Sequence, residues 1–334
     1  MKPTRIGIIG AGGWGTALGI VLNRNGHNAF LWTHDTNLAH TINRYHVNKD
    51  YLPNVILPQS ISATNDASSL VDCDLILNTI PTQYIRSTIK NFSLPIKNKP
   101  IVNGSKGIET ESLKRISEIF YETVESDANN FTVLTGPSHA EEVSREMPTT
   151  VVAASENIGF ANSIQEIFSN DRFRVYSSND VVGCEMGGSL KNVIALAAGI
   201  IDGLELGDNT KAALITRGLA EMSRLGTAMG ANPLTFSGLS GLGDLIVTCN
   251  SKHSRNRYVG EMIGRGKKLN QIIEEMKMIA EGVKTTESAY HLGIKHNVEM
   301  PIAEQIFQIL FNDVEPLAAI KELMTRTSKN EWWW

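Results

Sequence analysis

The chain has 334 residues, more than one ordinary domain holds, so two domains are expected. Its 31 Lys and Arg against 35 Asp and Glu leave a formal charge of −4. That balance argues against a general nucleic-acid binder, although a few placed cations suffice for a small anionic substrate.

The first apolar run, Arg5–Ile9, ends in Gly10-Ala11-Gly12-Gly13-Trp14-Gly15. The run is short and a glycine turn breaks it, not a cleavage site, so no signal peptide is expected. An amphipathic stretch over residues 16–25 follows, closed by Gly26, and then a second apolar run, Ala29-Phe30-Leu31-Trp32. Strand, glycine turn, helix and strand make one βαβ unit. Gly10, Gly12 and Gly15 form a GxGxxG, a weak signal alone but one that here follows a strand and opens a helix. Gly10 permits the tight turn, Gly12 admits a pyrophosphate against the backbone, and Gly15 lets helix and strand pack closely. The helix N-terminus then faces the phosphates. A glycine turn without a ligand is the bland alternative.

The end of the second strand addresses the adenosine ribose, where an acid favours NAD and a base accommodates NADP. Leu31-Trp32-Thr33-His34-Asp35 decides neither. Both coenzymes are expected, with a lean toward NADPH because no well-placed carboxylate repels its extra phosphate.

Further strand-like runs fall at residues 75–77, 101–102, 132–134 and 150–154, with helix-like stretches between several of them. This alternation predicts an α/β fold with a doubly wound, Rossmann-type parallel sheet. Beyond residue 180 the periodicity becomes helical, over residues 190–201, 211–229, 269–279 and 301–310, interrupted by a glycine-rich turn at 237–243. A dinucleotide-binding domain over residues 1–182 and an all-helical domain for substrate binding and catalysis over 183–334 are expected. No run approaches the roughly 20 apolar residues of a membrane span. The terminal Glu331-Trp332-Trp333-Trp334 reads as peripheral packing or contact.

The three cysteines, Cys73, Cys184 and Cys249, show no CxxC spacing, and His27, His34, His139 and His253 form no HxxxH or HExxH pattern. No metal site is expected. A sparse, odd set of cysteines fits a reducing compartment, and the protein is expected in the cytoplasm.

A resemblance to bacterial-type NAD(P)-dependent glycerol-3-phosphate dehydrogenases rests on a series of segments in order. They are the glycine turn with Thr16-Ala17-Leu18, Asn103-Gly104-Ser105-Lys106-Gly107-Ile108-Glu109, Gly136-Pro137-Ser138-His139-Ala140-Glu141, and Leu190-Lys191-Asn192. Gly241-Leu242-Gly243-Asp244-Leu245, Ser254-Arg255-Asn256 and Ala280-Glu281-Gly282-Val283-Lys284 complete it. One departure is Gly13, at a position where the family commonly has Ser. The resemblance implies reversible hydride transfer between sn-glycerol 3-phosphate and dihydroxyacetone phosphate, supplying phospholipid synthesis, by a homodimer. By the same resemblance Lys191 is the proton acceptor, Lys106 holds the substrate and assists, and Asp244 fixes a lysine. Gly136, Ser138, Asn192, Ser254, Arg255 and Asn256 contact substrate. Gly10, Gly12, Gly13, Trp14, Gly15, His34, Lys106, Ala140, Arg255, Ile279 and Glu281 contact coenzyme, with Glu281 accepting from the coenzyme or from Arg255.

The residue types suit that chemistry. A lysine can remove the hydroxyl proton or return it to a carbonyl oxygen when burial and a neighbouring cation tune it. Lys191 lies among Gly187-Gly188-Ser189-Leu190 and Val193-Ile194-Ala195-Leu196, a stretch apolar on nearly every face, which predicts burial. Arg255 can hold a phosphate through two parallel N–H bonds. The plain alternatives are solvated lysines, an exposed basic loop at residues 252–257, and Asp244 as a helix N-cap.

Two other readings compete. A β-hydroxyacid dehydrogenase would carry GxxxKxxxN. Gly187 and Lys191 satisfy its first half, but its Asn position is Ala195 and the Asn stands at Asn192 instead. A dinucleotide sensor without catalysis would have no use for Lys106, Lys191, Asp244 and Arg255 together.

Overall fold

A computed structural model describes residues 4–124, 126–276 and 278–331; the terminal tryptophans at 332–334 lie outside the described residues. The chain divides into two compact units, residues 1–106 with 114–185 and residues 107–113 with 186–334. The helical unit thus takes in the segment 107–113 as well as the chain from Met186 onward. Within that unit Ser288 Oγ donates to the Ile108 carbonyl at 3.1 Å.

In the first unit the strands are β1 (Arg5–Ile9), β2 (Asn28–Trp32), β3 (Val47–Asn48), β4 (Leu52–Ile56), β5 (Ala63–Thr64), β6 (Leu75–Asn78), β7 (Ile101–Asn103), β8 (Phe131–Thr135), β9 (Thr149–Ala154) and β10 (Phe173–Ser178). Eight of them form one sheet in the order β10-β9-β8-β7-β6-β1-β2-β5, while β3 and β4 pair as a separate hairpin. On one face Ile6 and Ile8 of β1, Leu75 and Leu77 of β6 and Val102 of β7 pack with Ala17, Leu18 and Val21 of the helix Gly13–Arg24. The alternate residues Ile9, Ile76 and Ile101 are buried as well. Both faces are therefore covered, which is why these strands read as continuous apolar runs and not as alternation.

The sheet is dominated by parallel pairs, as the βαβ rhythm predicts, with one departure: β8 and β9 are antiparallel. The connection between them holds only the four-residue helix Ala140–Val143, too little for a parallel crossover. The strand order reverses around β1, which lies between β2 and β6. In such sheets the crevice outside the carboxyl ends at that point is where ligands bind.

The second unit is helical, and among the described residues no strand follows Ser178. Its central helix, Val181–Gly203, has the length and hydropathy of a membrane span, but its most apolar window is 100% buried inside the protein. Glycines set its packing. A Cβ on Gly199 would lie 2.0 Å from the Arg257 carbonyl, and one on Gly203 2.3 Å from that of Glu261. The same holds from the helix Arg255–Gly264, where a Cβ on Gly260 would lie 2.0 Å from the Leu196 carbonyl and one on Gly264 2.5 Å from that of Ile200. Two GxxxG faces therefore meet backbone to backbone. Asp202 pins the same pair of helices by accepting from Arg257 Nε at 2.6 Å, and it also holds Lys211 Nζ at 2.9 Å.

The expected helix over 269–279 is shorter, Leu269–Glu275, because Met276 takes an extended conformation. The glycine-rich stretch near 240 is a π-helical turn, Leu239–Gly243.

A carboxyl group is buried here too. Glu221, on the helix Gly207–Ala228, is 1% exposed and accepts from Ile302 N at 2.7 Å and Ala303 N at 3.3 Å. It thereby caps the helix Pro301–Phe311. Burial pushes its carboxyl up to about 7 against these bonds and the pull of Arg224 and Arg326. A folded-state value above the unfolded one means that the protonated form is favoured by folding. Stability should fall as pH rises from the usual carboxylate range through 7, and Glu221→Gln should flatten that slope in urea titrations. An unchanged slope would show that Glu221 does not govern it.

Candidate functional site

The turn after β1 is held in a form that few side chains would permit. Gly10 has φ +111, and a Cβ there would lie 2.9 Å from Thr79 Oγ1. A Cβ on Gly15 would lie 2.2 Å from the Gly10 carbonyl, so the helix Gly13–Arg24 starts directly on the strand end. Thr79 Oγ1, just past β6, donates to the Gly10 carbonyl at 2.9 Å and ties the two strand ends. Gly12 differs from its neighbours. It has ordinary extended backbone, φ −70 and ψ 178, and nothing lies within 4 Å of where its Cβ would be. No side chain caps the helix that it precedes. Unfilled space against uncapped helical N–H groups is what a phosphate needs.

Gly13 faces the hairpin: a Cβ there would lie 2.6 Å from the Tyr51 carbonyl and 3.6 Å from Ala140 Cβ. Gly13 thus lets the hairpin backbone sit directly on the turn, and a serine here would force the two apart. The structure also brings Ala140 to the turn, as the grouping of coenzyme residues requires. Trp14 lies against Gly104, where a Cβ would stand 2.9 Å from the indole nitrogen. That nitrogen is buried with no hydrogen-bond partner.

At the end of β2, His34 is exposed and packs its ring at 6.3 Å from Phe92. Asp35 accepts from Asn37 N and Leu38 N, capping the helix Thr36–Tyr45. Its Oδ1 serves the backbone, while the side chain itself is exposed.

Lys106 comes together with two of its expected partners. Its ammonium donates to the Gly136 carbonyl at 3.0 Å and lies 3.4 Å from Ser138 Oγ, which itself donates to Gly136 O at 2.8 Å. Gly136 has φ +128, and a Cβ there would lie 3.1 Å from Val151 Cα in β9. The antiparallel return of β9 is thus what requires glycine at this point. The turn carrying Lys106 is locked by polar residues, of which the sequence reading had passed over Asn78. Asn78 Nδ2 donates to Asn103 Oδ1 at 2.9 Å, and Ser105 Oγ donates to the Ile80 carbonyl at 2.6 Å.

In the helical unit Lys191 is 6% exposed and Asp244 1%. The ammonium donates to Asp244 Oδ1 at 2.5 Å and to Thr248 Oγ1 at 2.8 Å. The N-cap of the helix Asp244–Asn250 is Gly243, so Asp244 uses its carboxylate on the lysine and not as a cap. Thr248 was missed, although Asp244 and Thr248 stand four apart and share a helix face. One turn before Lys191, Gly187 admits the chain: a Cβ there would lie 2.4 Å from the Ser240 carbonyl. This close approach brings Asp244, one turn beyond Ser240, to Lys191.

Three segments meet beside that pair. A Cβ on Gly282 would lie 2.7 Å from the Asn192 carbonyl, and Gly282 N donates to Asn256 Oδ1 at 2.9 Å. Asn256 thus uses its side-chain carbonyl for structure. Ser254 caps the helix Arg255–Gly264 by accepting from Arg257 N at 3.2 Å. Arg255, at the helix start, is exposed and makes no ion pair with the described residues, so of the two partners expected for Glu281, the coenzyme or Arg255, the arginine is not paired with it here. A cation at a helix N-terminus, with the Ser254 hydroxyl and the Asn256 amide beside it, is equipped for an anion. Glu281 opens the helix Glu281–Lys295, and Ile279 is 42% exposed in the irregular stretch before it.

All three cysteines are free and buried, and burial pushes the Cys249 thiol up to about 12, which leaves it protonated. Among the described residues no group of His, Cys, Asp and Glu could hold a metal ion.

Residues 5–161 match the family described as NAD-dependent glycerol-3-phosphate dehydrogenase N-terminus, and residues 180–321 match the corresponding C-terminus. The chain is 52% identical over 330 residues to a protein of Lysinibacillus sphaericus named glycerol-3-phosphate dehydrogenase [NAD(P)+], covering 98% of each. It is 52% identical to the protein of that name from Bacillus subtilis, covering 98% of this chain and 96% of the other. A crystal structure of glycerol-3-phosphate dehydrogenase from Coxiella burnetii superposes with a TM-score of 0.92 at 37% identity, covering 97% of this chain and 99% of that one.

The geometry separates folding from binding at the glycine turn. Gly12→Val places its side chain in open space, so thermal unfolding should stay near wild type while NADH and NADPH bind at least about tenfold more weakly. Gly15→Val should instead lower stability, because its Cβ meets backbone. Unchanged coenzyme affinity in folded Gly12→Val would remove the turn from the binding site.

Proposed function

We infer the chemistry of this chain from its membership: it belongs to the NAD-dependent glycerol-3-phosphate dehydrogenase family. It is an NAD(P)-dependent oxidoreductase of the glycerol 3-phosphate and dihydroxyacetone phosphate pair. We propose the residue roles that follow, and the observation that carries them is the buried Lys191 ammonium held by Asp244 and Thr248.

The bound coenzyme accepts or supplies the hydride. Gly10, Gly12, Gly13 and Gly15 hold its pyrophosphate against the N-terminus of the helix Gly13–Arg24, with Trp14 and Ala140 beside the turn and His34 toward the adenosine ribose. In the oxidation direction Lys191, as the neutral amine, takes the hydroxyl proton and becomes the ammonium; in reduction the ammonium polarises the carbonyl and returns the proton to that oxygen. Asp244 sustains the charged lysine and Thr248 fixes its direction. Lys106, braced by Gly136 and Ser138, holds the substrate oxygen and adds positive charge. Asn192 orients the hydroxyls, and Arg255 with Ser254 and Asn256 grips the phosphate.

Several finer readings accompany this proposal. Asp35 spends Oδ1 on a helix cap, which lessens its hold on a ribose 2′-hydroxyl and supports use of NADPH alongside NADH. By family resemblance the protein works as a cytoplasmic homodimer and supplies the glycerol phosphate backbone of phospholipids.

Two variants separate proton transfer from binding. Lys191→Met should lose at least about 10²- to 10⁴-fold in turnover, the usual worth of general acid–base catalysis, while coenzyme binding survives. Arg255→Ala should raise the KM for dihydroxyacetone phosphate more than it lowers kcat, because its grip is present in ground and transition states alike. Full kinetic curves with NADH and NADPH check both. Near-normal turnover in folded Lys191→Met would overturn the assignment of the proton.

A further inference from the structure

Asn48 stands in β3, far along the chain from the glycine turn, and is 0% exposed. Its Nδ2 donates to the Ala11 carbonyl at 2.8 Å and to Thr16 Oγ1 at 2.9 Å. Those acceptors lie on either side of Gly12, one before it in the turn and one in the first turn of the helix. The orientation of the amide is dictated by the Ala11 carbonyl, which can only accept. Its other atom, Oδ1, is buried without a partner. Leaving a buried acceptor unpaired costs about 1–3 kcal/mol, an expense that packing alone does not explain.

We propose that Asn48 is a positioning residue for the coenzyme, clamping Ala11 and Thr16 so that the Gly12 amide and the first helical turn are presented to the pyrophosphate. In a trans peptide the C=O and N–H point in opposite directions. Fixing the Ala11 carbonyl on Asn48 therefore aims the Gly12 N–H away from the hairpin. Where a Cβ on Gly12 would lie there is unfilled space as well. The Tyr51 carbonyl, resting on Gly13, secures the same hairpin against the turn from its other end. A loop fixed in advance loses less freedom on binding, which is how a residue that never touches the ligand can raise affinity.

This inference rests on the reading of the turn as the pyrophosphate site, and the test keeps the two apart. Dissociation constants for NADH and for ADP-ribose are measured in wild type, Asn48→Ala, Thr16→Val and Gly12→Val, with thermal unfolding and the KM for dihydroxyacetone phosphate at saturating NADH. Asn48→Ala should weaken both ligands by the same factor, about tenfold for one well-placed buried hydrogen bond, and leave the KM unchanged. Thr16→Val, which keeps the side-chain shape and removes one acceptor, should weaken both by about threefold. Folded Asn48→Ala that binds ADP-ribose as wild type does, or that shifts the KM in proportion, overturns the inference. If Asn48→Ala fails to fold, Thr16→Val decides: wild-type ADP-ribose affinity overturns the proposal and weakened affinity with unchanged KM supports it. Should Gly12→Val also bind ADP-ribose normally, the turn itself is not the pyrophosphate site. A Gly12 effect without an Asn48 or Thr16 effect defeats this inference alone.

Discussion

Lys191 carries an ammonium where only 6% of the residue reaches solvent, and a charge so placed persists only if its lost hydration is replaced by partners of suitable geometry. Asp244 and Thr248 supply that replacement from one face of one short helix. They can reach the lysine because Gly187, one turn earlier, lets the Ser240 carbonyl come within a distance that no side chain would leave. Farther along, Gly199 and Gly203 meet Gly260 and Gly264, and the helix that begins with Arg255 is held against the one that carries Lys191. The elements proposed to move a proton and to grip a phosphate are thus related by backbone contact, which has no rotamers to adjust. A deleted partner would leave a buried charge uncompensated, at a cost of about 3–5 kcal/mol in comparable pairs.

The first unit uses the same device for a different purpose. Its glycine turn is fixed by contacts of Gly10 and Gly15 with backbone and with Thr79, and by the hairpin on Gly13. Only Gly12 is left open. Rigid surroundings and one open position suit a ligand that is bound by amide N–H groups and not by flexible side chains. The locked Asn78–Asn103–Ser105 turn does for Lys106 what the hairpin does for Gly12. It fixes the backbone that presents the group, and the brace of Gly136 and Ser138 fixes the group itself.

Much of this was legible in sequence because the relevant signals are local. A glycine turn between strand and helix, a lysine in a stretch apolar on every face, and a change from strand to helix periodicity are each visible within a few residues. The reversal of β9 was not legible, since strand direction depends on how far the connecting chain must travel. The cap role of Asp35 was also hidden, and the pairing of Asp244 with a lysine, which the family resemblance implied, could not be told from a helix cap by local spacing; only the neighbours of each in space decide which use its carboxylate serves. Asn48 and Asn78 were missed for the same reason, because a buried asparagine that donates to a distant acceptor leaves no periodic trace. Thr248 could have been found, at four residues from Asp244 on a short helix.

The pH dependence of dihydroxyacetone phosphate reduction in wild type and in Asp244→Asn tests the central claim most directly. The claim is that Lys191 donates the proton from an ammonium sustained by the Asp244 carboxylate. The variant keeps the shape of the side chain and removes its charge, which makes the ammonium easier to deprotonate. The account predicts that kcat/KM of the folded variant falls off at lower pH than that of wild type, while its affinity for NADH is retained. A falling limb at the same pH in both proteins would contradict it.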